Sequence, residues 1–301
     1  MKFLSSTLLS IAFLALANMQ VSNQVMAAPT PATADNKVAA TMPQIEKRAI
    51  SGINNYNCKL TAEHPRPVIL VHATLLTADS WWYVAPALVK RGYCVFALTY
   101  GQYKGSAFGG LSPIEDSAQE LKSFSENVMA KLNATQVDLV GHSQGGILGR
   151  YWVKFLDGKG KVNRMVGISA INQGTNLSGI VIFAKVLGLF TPSQPIFDAI
   201  APSFYQMVDT SAFMAKLNKG GDTAPGVIHS NIGTRFDQVV TPYTNSFQKS
   251  GSGIPNLTLQ NLCLLSLNEH LTMVNSNVVL QYVLNQLDPT SAKTANCISF
   301  P

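Results

Sequence analysis

The sequence predicts an α/β protein with a mainly parallel central sheet and helices on both faces. Three observations carry this. Short runs rich in β-branched residues alternate with helix-patterned segments along most of the chain. The run PVILV at 67–71 is apolar at every position, as a strand covered on both faces requires. The stretch VDLVGHSQGGILGR at 137–150 sets one serine between glycines, after an apolar run and before a helical pattern.

The elements follow in order. Residues 67–71 read as a strand, 80–91 as a helix stopped by Gly92, and 93–99 as the next strand. Ser112-Pro113-Ile114-Glu115 announces a helix: serine at the cap, proline at the first helical position, glutamate three residues after the cap. Ile114, Ala118, Leu121, Phe124, Val128 and Leu132 then form one apolar face. Residues 137–140 read as a strand and 144–156 as a helix. Further strands are expected at 162–171, 226–233 and 257–265, and a closing helix at 271–287. Residues 176–222 break the rhythm with IVIFAKVLGLF at 180–190, then prolines and aromatics. They are either ordinary helix packed on the sheet or an apolar insertion over the site, lining an acyl pocket or moving as a lid.

Ahead of the first strand stand Lys2, a mostly apolar stretch at 3–17, and Val25-Met26-Ala27. Small residues occupy the two positions a signal peptidase reads, so 1–27 is expected to be a signal peptide, cleaved before Ala28. The apolar run is too short to span a bilayer comfortably and lacks a basic flank, so no stable membrane anchor is expected. Residues 28–50, rich in Ala, Pro and Thr, are expected to form a flexible leader, and 51–301 a single catalytic domain.

Of the 301 residues only 13% are charged and 47% are hydrophobic, enough to bury one large core. The net charge is +6, and its basic residues are scattered, which argues against a nucleic-acid surface. No Cys-x-x-Cys or His-x-x-x-His spacing suggests a metal, no cofactor is expected, and the chain is expected to be a monomer. Cys58, Cys94, Cys263 and Cys297 allow three full pairings, and export would oxidise them. The pairs 58–94 and 263–297 are preferred because each is local and ties a chain end to the adjacent strand-rich core; free buried thiols are the alternative.

A Gly-x-Ser-x-Gly match alone is weak, since it arises by chance in about one 300-residue chain in ten. Its setting makes it specific. Ser143 falls between a strand and a helix, where a tight turn exposes the hydroxyl and the helix N-terminus aims N–H groups at a reacting carbonyl. A serine hydroxyl needs a base. His64 precedes a proline, His72 ends the first strand, His142 supports the turn, and His229 lies within a strand. His270 follows the last strand and opens the final helix, so it is the candidate base. The acid belongs between the two, after a strand. Asp237 satisfies this, whereas Asp157 sits at a helix end and Asp198, Asp209 and Asp222 in the insertion.

Together these residues resemble the small secreted bacterial triacylglycerol lipases grouped as lipase class 2, in the α/β-hydrolase superfamily. The likeness runs from about Cys58 to Cys297. It rests on Cys58 with HPRPVILVHAT, GYCVFALTYG ending at Gly101, VGHSQGG, FDQVVTPYT at 236–244 and EHL at 269–271. The resemblance implies an α/β-hydrolase fold, a triad of Ser143, Asp237 and His270, the family's two disulfides, and hydrolysis of fatty-acyl esters at an oil–water interface. A short-chain carboxylesterase or a polyester hydrolase would use the same triad, and a non-catalytic lipid-binding protein would keep the same shell. One motif departs: where the family usually reads His-Gly-Thr, this chain has His72-Ala73-Thr74. The backbone N–H groups of Thr74 and Gln144 are the expected oxyanion hole. If position 73 needs a positive φ, alanine there costs on the order of 1 kcal/mol relative to glycine.

Overall fold

Six strands form one sheet in which every neighbouring pair is parallel, in the order β2-β1-β3-β4-β5-β6. They are β1 (Val68–Val71), β2 (Val95–Leu98), β3 (Val137–His142), β4 (Val162–Ile168), β5 (Ile228–Gly233) and β6 (Asn256–Thr258). The computed structural model describes residues 50–176, 178–179, 201–251 and 253–297. The signal peptide expected at 1–27, the leader at 28–50 but for its last residue, and 180–200 of the insertion lie outside the described residues.

Alternation along β1 shows why the sheet needs cover on both faces. Val68 and Leu70 join one apolar cluster, with Trp81, α1 (Val84–Lys90) and the final helix Asn277–Leu287. Ile69 and Val71 join the other, with α2 (Ile114–Leu132) and α3 (Gly145–Phe155). All four β1 side chains are buried, and each such burial stabilises the fold by roughly 1.5–3 kcal/mol. The stripe of α2 buries Ile114, Ala118, Leu121 and Val128, and Asn133 ends the helix at φ 52°. Cys58–Cys94 and Cys263–Cys297 are the two disulfides, with Cα–Cα distances of 5.8 and 5.5 Å.

Several elements differ from expectation, each for a local reason. The capping box at Ser112 does not form. Pro113 takes the cap position, and Gln206 supplies the cap from another segment: its Oε1 accepts the Ile114 N–H at 2.7 Å and its Nε2 donates to Glu115 at 2.5 Å. The helix expected at 80–91 is a 3-10 turn, Ala78–Trp81, capped by Thr77 and followed by α1. Strand β4 stops at Ile168 rather than 171, because Ser169 turns to φ 42°. The strand expected at 257–265 ends at Thr258 and becomes the short helix Leu259–Leu262. There Gln260 bonds the Thr234 hydroxyl and the Ser266 carbonyl, which bends the chain out of the sheet. The helix expected at 271–287 is a 3-10 turn, Thr272–Asn275, broken at extended Ser276 before Asn277–Leu287.

Candidate active site

The strand order changes direction between β1 and β3, and ligands of open parallel sheets sit at the carboxyl ends of the strands beside such a switch. Val71 of β1 is level with Gly141 of β3, which is level with Gly167 of β4 and, through it, Asn231 of β5. The residues just past this row are therefore neighbours in space.

Ser143 is one of them. Its φ is 56°, a left-handed conformation that a side chain adopts at a cost of order 1–3 kcal/mol. Three backbone bonds hold it there: its N–H to Ile168 O at 3.0 Å, and Gly146 N–H and Ile171 N–H to its carbonyl at 3.0 and 3.3 Å. The flanking glycines are needed for close approach. A Cβ on Gly145 would collide with the Val71 and His72 carbonyls, and one on Gly141 with Gly145 and Gly146. The turn does not expose the hydroxyl as expected: Ser143 is fully buried, and its hydroxyl has no hydrogen-bond partner among the described residues.

His270 and Asp237 meet across the end of β5. The His270 Nδ1–H donates to Asp237 Oδ2 at 2.9 Å, and both side chains are fully buried. The other carboxylate oxygen accepts the Val239 and Val240 N–H groups at 3.0 and 2.7 Å. Burial alone would raise the Asp237 carboxyl. Charge and hydrogen bonding from His270, with the Val240 amide, outweigh it and hold the group below the ordinary carboxylate range. The histidine loop is fixed from both ends. Thr234 Oγ1 donates to Asn268 O at 2.7 Å, and the Glu269 carboxylate accepts the Leu271 and Thr272 N–H groups at 3.0 Å each.

The other histidines have different tasks. His64 stacks on Tyr93 with ring centroids 3.8 Å apart. His72 bonds Ala73 O at 2.7 Å and accepts the Tyr100 N–H at 3.2 Å; burial pushes it down to about 4. His229 accepts the Ala224 N–H at 2.9 Å and is likewise lowered by burial to about 4. His142 lies beside the site, its ring centroid 5.0 Å from that of His270. Its Nε2–H donates to the His270 carbonyl at 2.9 Å, and burial holds it neutral, down to about 3.

Thr74 and Gln144 are fully buried at the ends of β1 and β3. Gly110 packs against both: a Cβ there would stand 2.9 Å from Thr74 Cα and 3.1 Å from Gln144 Oε1. Thr74 Oγ1 and Gln144 Nε2 each donate to the Met207 sulfur, at 3.6 and 3.8 Å. Ala73 has an ordinary negative φ; the left-handed residue of this loop is Leu75, at 65°. The alanine in His72-Ala73-Thr74 therefore carries no left-handed strain.

A surface cavity of about 470 Å³ opens beside the Asp237–His270 pair, lined by Arg235, Phe236, Asp237, Gln238, Leu267 and Glu269. Leu264, Leu265 and Leu267 stand 75, 88 and 76% exposed on the loop leading to His270. Among the described residues no helix is long and apolar enough to cross a membrane, and no cluster of His, Cys, Asp or Glu could hold a metal.

The class 2 lipase family model matches residues 65–283, most of the chain and all of the site. The chain belongs to this family. Triacylglycerol lipases of Pseudarthrobacter phenanthrenivorans and Burkholderia plantarii are each 32% identical to it over 91 residues, 28% of this chain. The matched stretch spans 27 and 24% of those proteins, about a quarter of their length. Aspergillus fumigatus lipase B shares the fold: it covers 82% of this chain and 56% of its own, at 18% identity and a TM-score of 0.61. The architecture is that of an α/β hydrolase. In this class 2 lipase chain, sequence reasoning missed three parts of the site. Gly110 was visible as the second of two adjacent glycines, Gly109 and Gly110. The His142 bond to the His270 carbonyl and the Met207 contacts leave no local sequence signal, because each joins segments far apart in the chain.

Proposed function

We propose that the chain hydrolyses carboxylic esters of fatty acids through an acyl-enzyme on Ser143. The observation that carries this is the buried Asp237–His270 hydrogen bond at the strand ends beside a serine held in a left-handed elbow. His270 Nε2 takes the Ser143 proton as the hydroxyl oxygen attacks the ester carbonyl. Asp237 fixes the imidazole tautomer and stabilises its protonated form. The backbone N–H groups of Thr74 and Gln144 receive the oxyanion, and His270 returns the proton to the departing alcohol. Water then attacks the acyl group with His270 again the base, which releases the acid and frees Ser143.

Family membership and the exposed leucines on the loop leading to His270, of which Leu267 lines the cavity, favour water-insoluble acyl esters at an oil–water interface as substrate. The signal peptide expected at 1–27 and the two disulfides favour an exported protein, in the medium or the periplasm. Initial rates on p-nitrophenyl esters from two to sixteen carbons, with Ser143→Ala as blank, test the reading. A serine-dependent rate that peaks at long chains is expected. A peak at short chains makes the protein a carboxylesterase, and no rate above the blank removes the hydrolytic reading.

A further inference from the structure

One buried threonine outside the triad touches both halves of the site. The backbone of Thr175 faces the segment that follows the short helix Ser203–Gln206: its N–H donates to Met207 O and its carbonyl accepts the Asp209 N–H, both at 2.9 Å. Met207 is the residue whose sulfur takes the Thr74 and Gln144 side chains. The Thr175 hydroxyl faces the opposite way, into the loop that carries Asp237. It donates to Val239 O at 2.5 Å and accepts the Thr241 N–H at 3.0 Å. Thr175 is fully buried.

The Val239 carbonyl and the Val240 N–H belong to one peptide unit. That unit is planar and trans, so a bond that pins its oxygen also aims its N–H. The Val240 N–H is aimed at Asp237 Oδ1, 2.7 Å away, and the opposite carboxylate oxygen receives His270 Nδ1–H. A continuous series therefore runs from the Thr175 hydroxyl through one peptide to the carboxylate and on to the imidazole. Each bond in such a series polarises the next.

We propose that Thr175 is a positioning residue: its hydroxyl orients the Val239–Val240 peptide so that the Asp237 carboxylate stays in line with His270. This rests on the reading of Asp237 as the acid of the triad. A threonine that only fills space and satisfies its own hydroxyl would affect stability alone, independently of what stands at position 237. Coupling between the two positions separates the cases.

The test measures kcat and KM on p-nitrophenyl butyrate for the full chain, in Thr175→Val, Thr175→Ser, Asp237→Asn and the Thr175→Val/Asp237→Asn double variant. Thr175→Val keeps the shape and removes the hydroxyl, so kcat falls about tenfold or more while KM stays within about twofold. Thr175→Ser keeps the hydroxyl and stays within about threefold of the parent. With asparagine at 237 the carboxylate is already gone, and Thr175→Val then changes kcat by less than about threefold. If Thr175→Val does not fold, Thr175→Ala fits the same space and carries the same expectation. Equal losses in both backgrounds, a parental kcat in Thr175→Val, or a serine variant as impaired as the valine one overturns the proposal. An Asp237→Asn variant as active as the parent instead removes the acid assignment itself, a different failure.

Discussion

On the Ser143 side of the candidate site backbone meets backbone, and on the Asp237 side polar atoms meet polar atoms. Around Ser143 the strand end of β3, the start of α3 and the end of β1 approach until no Cβ fits at Gly141 or Gly145. Around Asp237 and His270 the chain is loop, and the order comes from hydrogen bonds: two amides on the carboxylate, Thr175 on the next peptide, Thr234 and Glu269 on the histidine loop. The first half is intolerant of an added atom and the second of a lost partner. Steric order fails by overpacking, whereas hydrogen-bonded order fails by leaving a buried group unpaired.

The largest effect tests the second half. Asp237→Asn preserves volume and the amide contacts but withdraws the charge from His270, so kcat should fall on the order of 10⁴-fold. Its urea midpoint should move little beside that loss; a comparable collapse of the fold would mean the two halves do not differ in kind. Gly145→Ala tests the first half from the opposite direction. One methyl group aimed at the Val71 and His72 carbonyls should destabilise the fold by about 3 kcal/mol, read from denaturant unfolding. A parental unfolding curve would show that the elbow is loose.

His142 belongs to both halves, since it stands in the elbow and holds the histidine loop by its carbonyl. His142→Phe retains the ring and loses the N–H donor, with an expected tenfold or so decrease in kcat at unchanged KM. An unchanged kcat would confine His142 to packing.

Acid sharpens the comparison further. His72 and His229 are lowered to about 4 and His142 to about 3, all mainly by burial, so the fold refuses protons that the unfolded chain accepts below pH 6.5. Their stabilising contribution is complete above pH 6.5 and declines as pH falls toward 4, with a slope of up to about 1.4 kcal/mol per pH unit for each histidine. Asp237, held below its ordinary range, loses its contribution only at more acid pH. Urea midpoints at pH 7, 6 and 5 should therefore fall steadily; equal midpoints would mean these rings are hydrated. The smallest effect concerns the exposed loop. Leu264→Ser with Leu265→Ser should leave the rate on soluble esters within about twofold and reduce the rate on emulsified ester several-fold. Equal rates on both would detach this loop from substrate binding.

The difference between the halves also explains what the sequence made legible. Strands buried on both faces, such as Val68–Val71, announce themselves as unbroken apolar runs, and the steric elbow is written in glycines at fixed spacing. Asp237 and His270 could be nominated because each follows a strand in the order expected of an acid and a base after Ser143, and the folded chain brings the two side chains to 2.9 Å. Boundaries set by distant partners were not readable. Gln206 replaces Ser112 as the cap of α2, and Gln260 bends the chain where the apolar pattern predicts a continuing strand. Thr175 and Met207 gain their places only when the chain folds, so a local pattern has no means of marking them. Which residue of the loop after β1 turns left-handed was not legible either: the folded chain places that turn at Leu75 and spares Ala73.

Everything proposed for the site depends on a Ser143 hydroxyl activated by His270 and Asp237. The most direct measurement is covalent: react the protein with a fluorophosphonate, digest it, and locate the adduct by mass spectrometry. A single adduct is expected on the peptide containing Ser143, absent in Ser143→Ala and formed far more slowly in His270→Ala. Labelling at another serine, or labelling of Ser143 at the parental rate without His270, would contradict it.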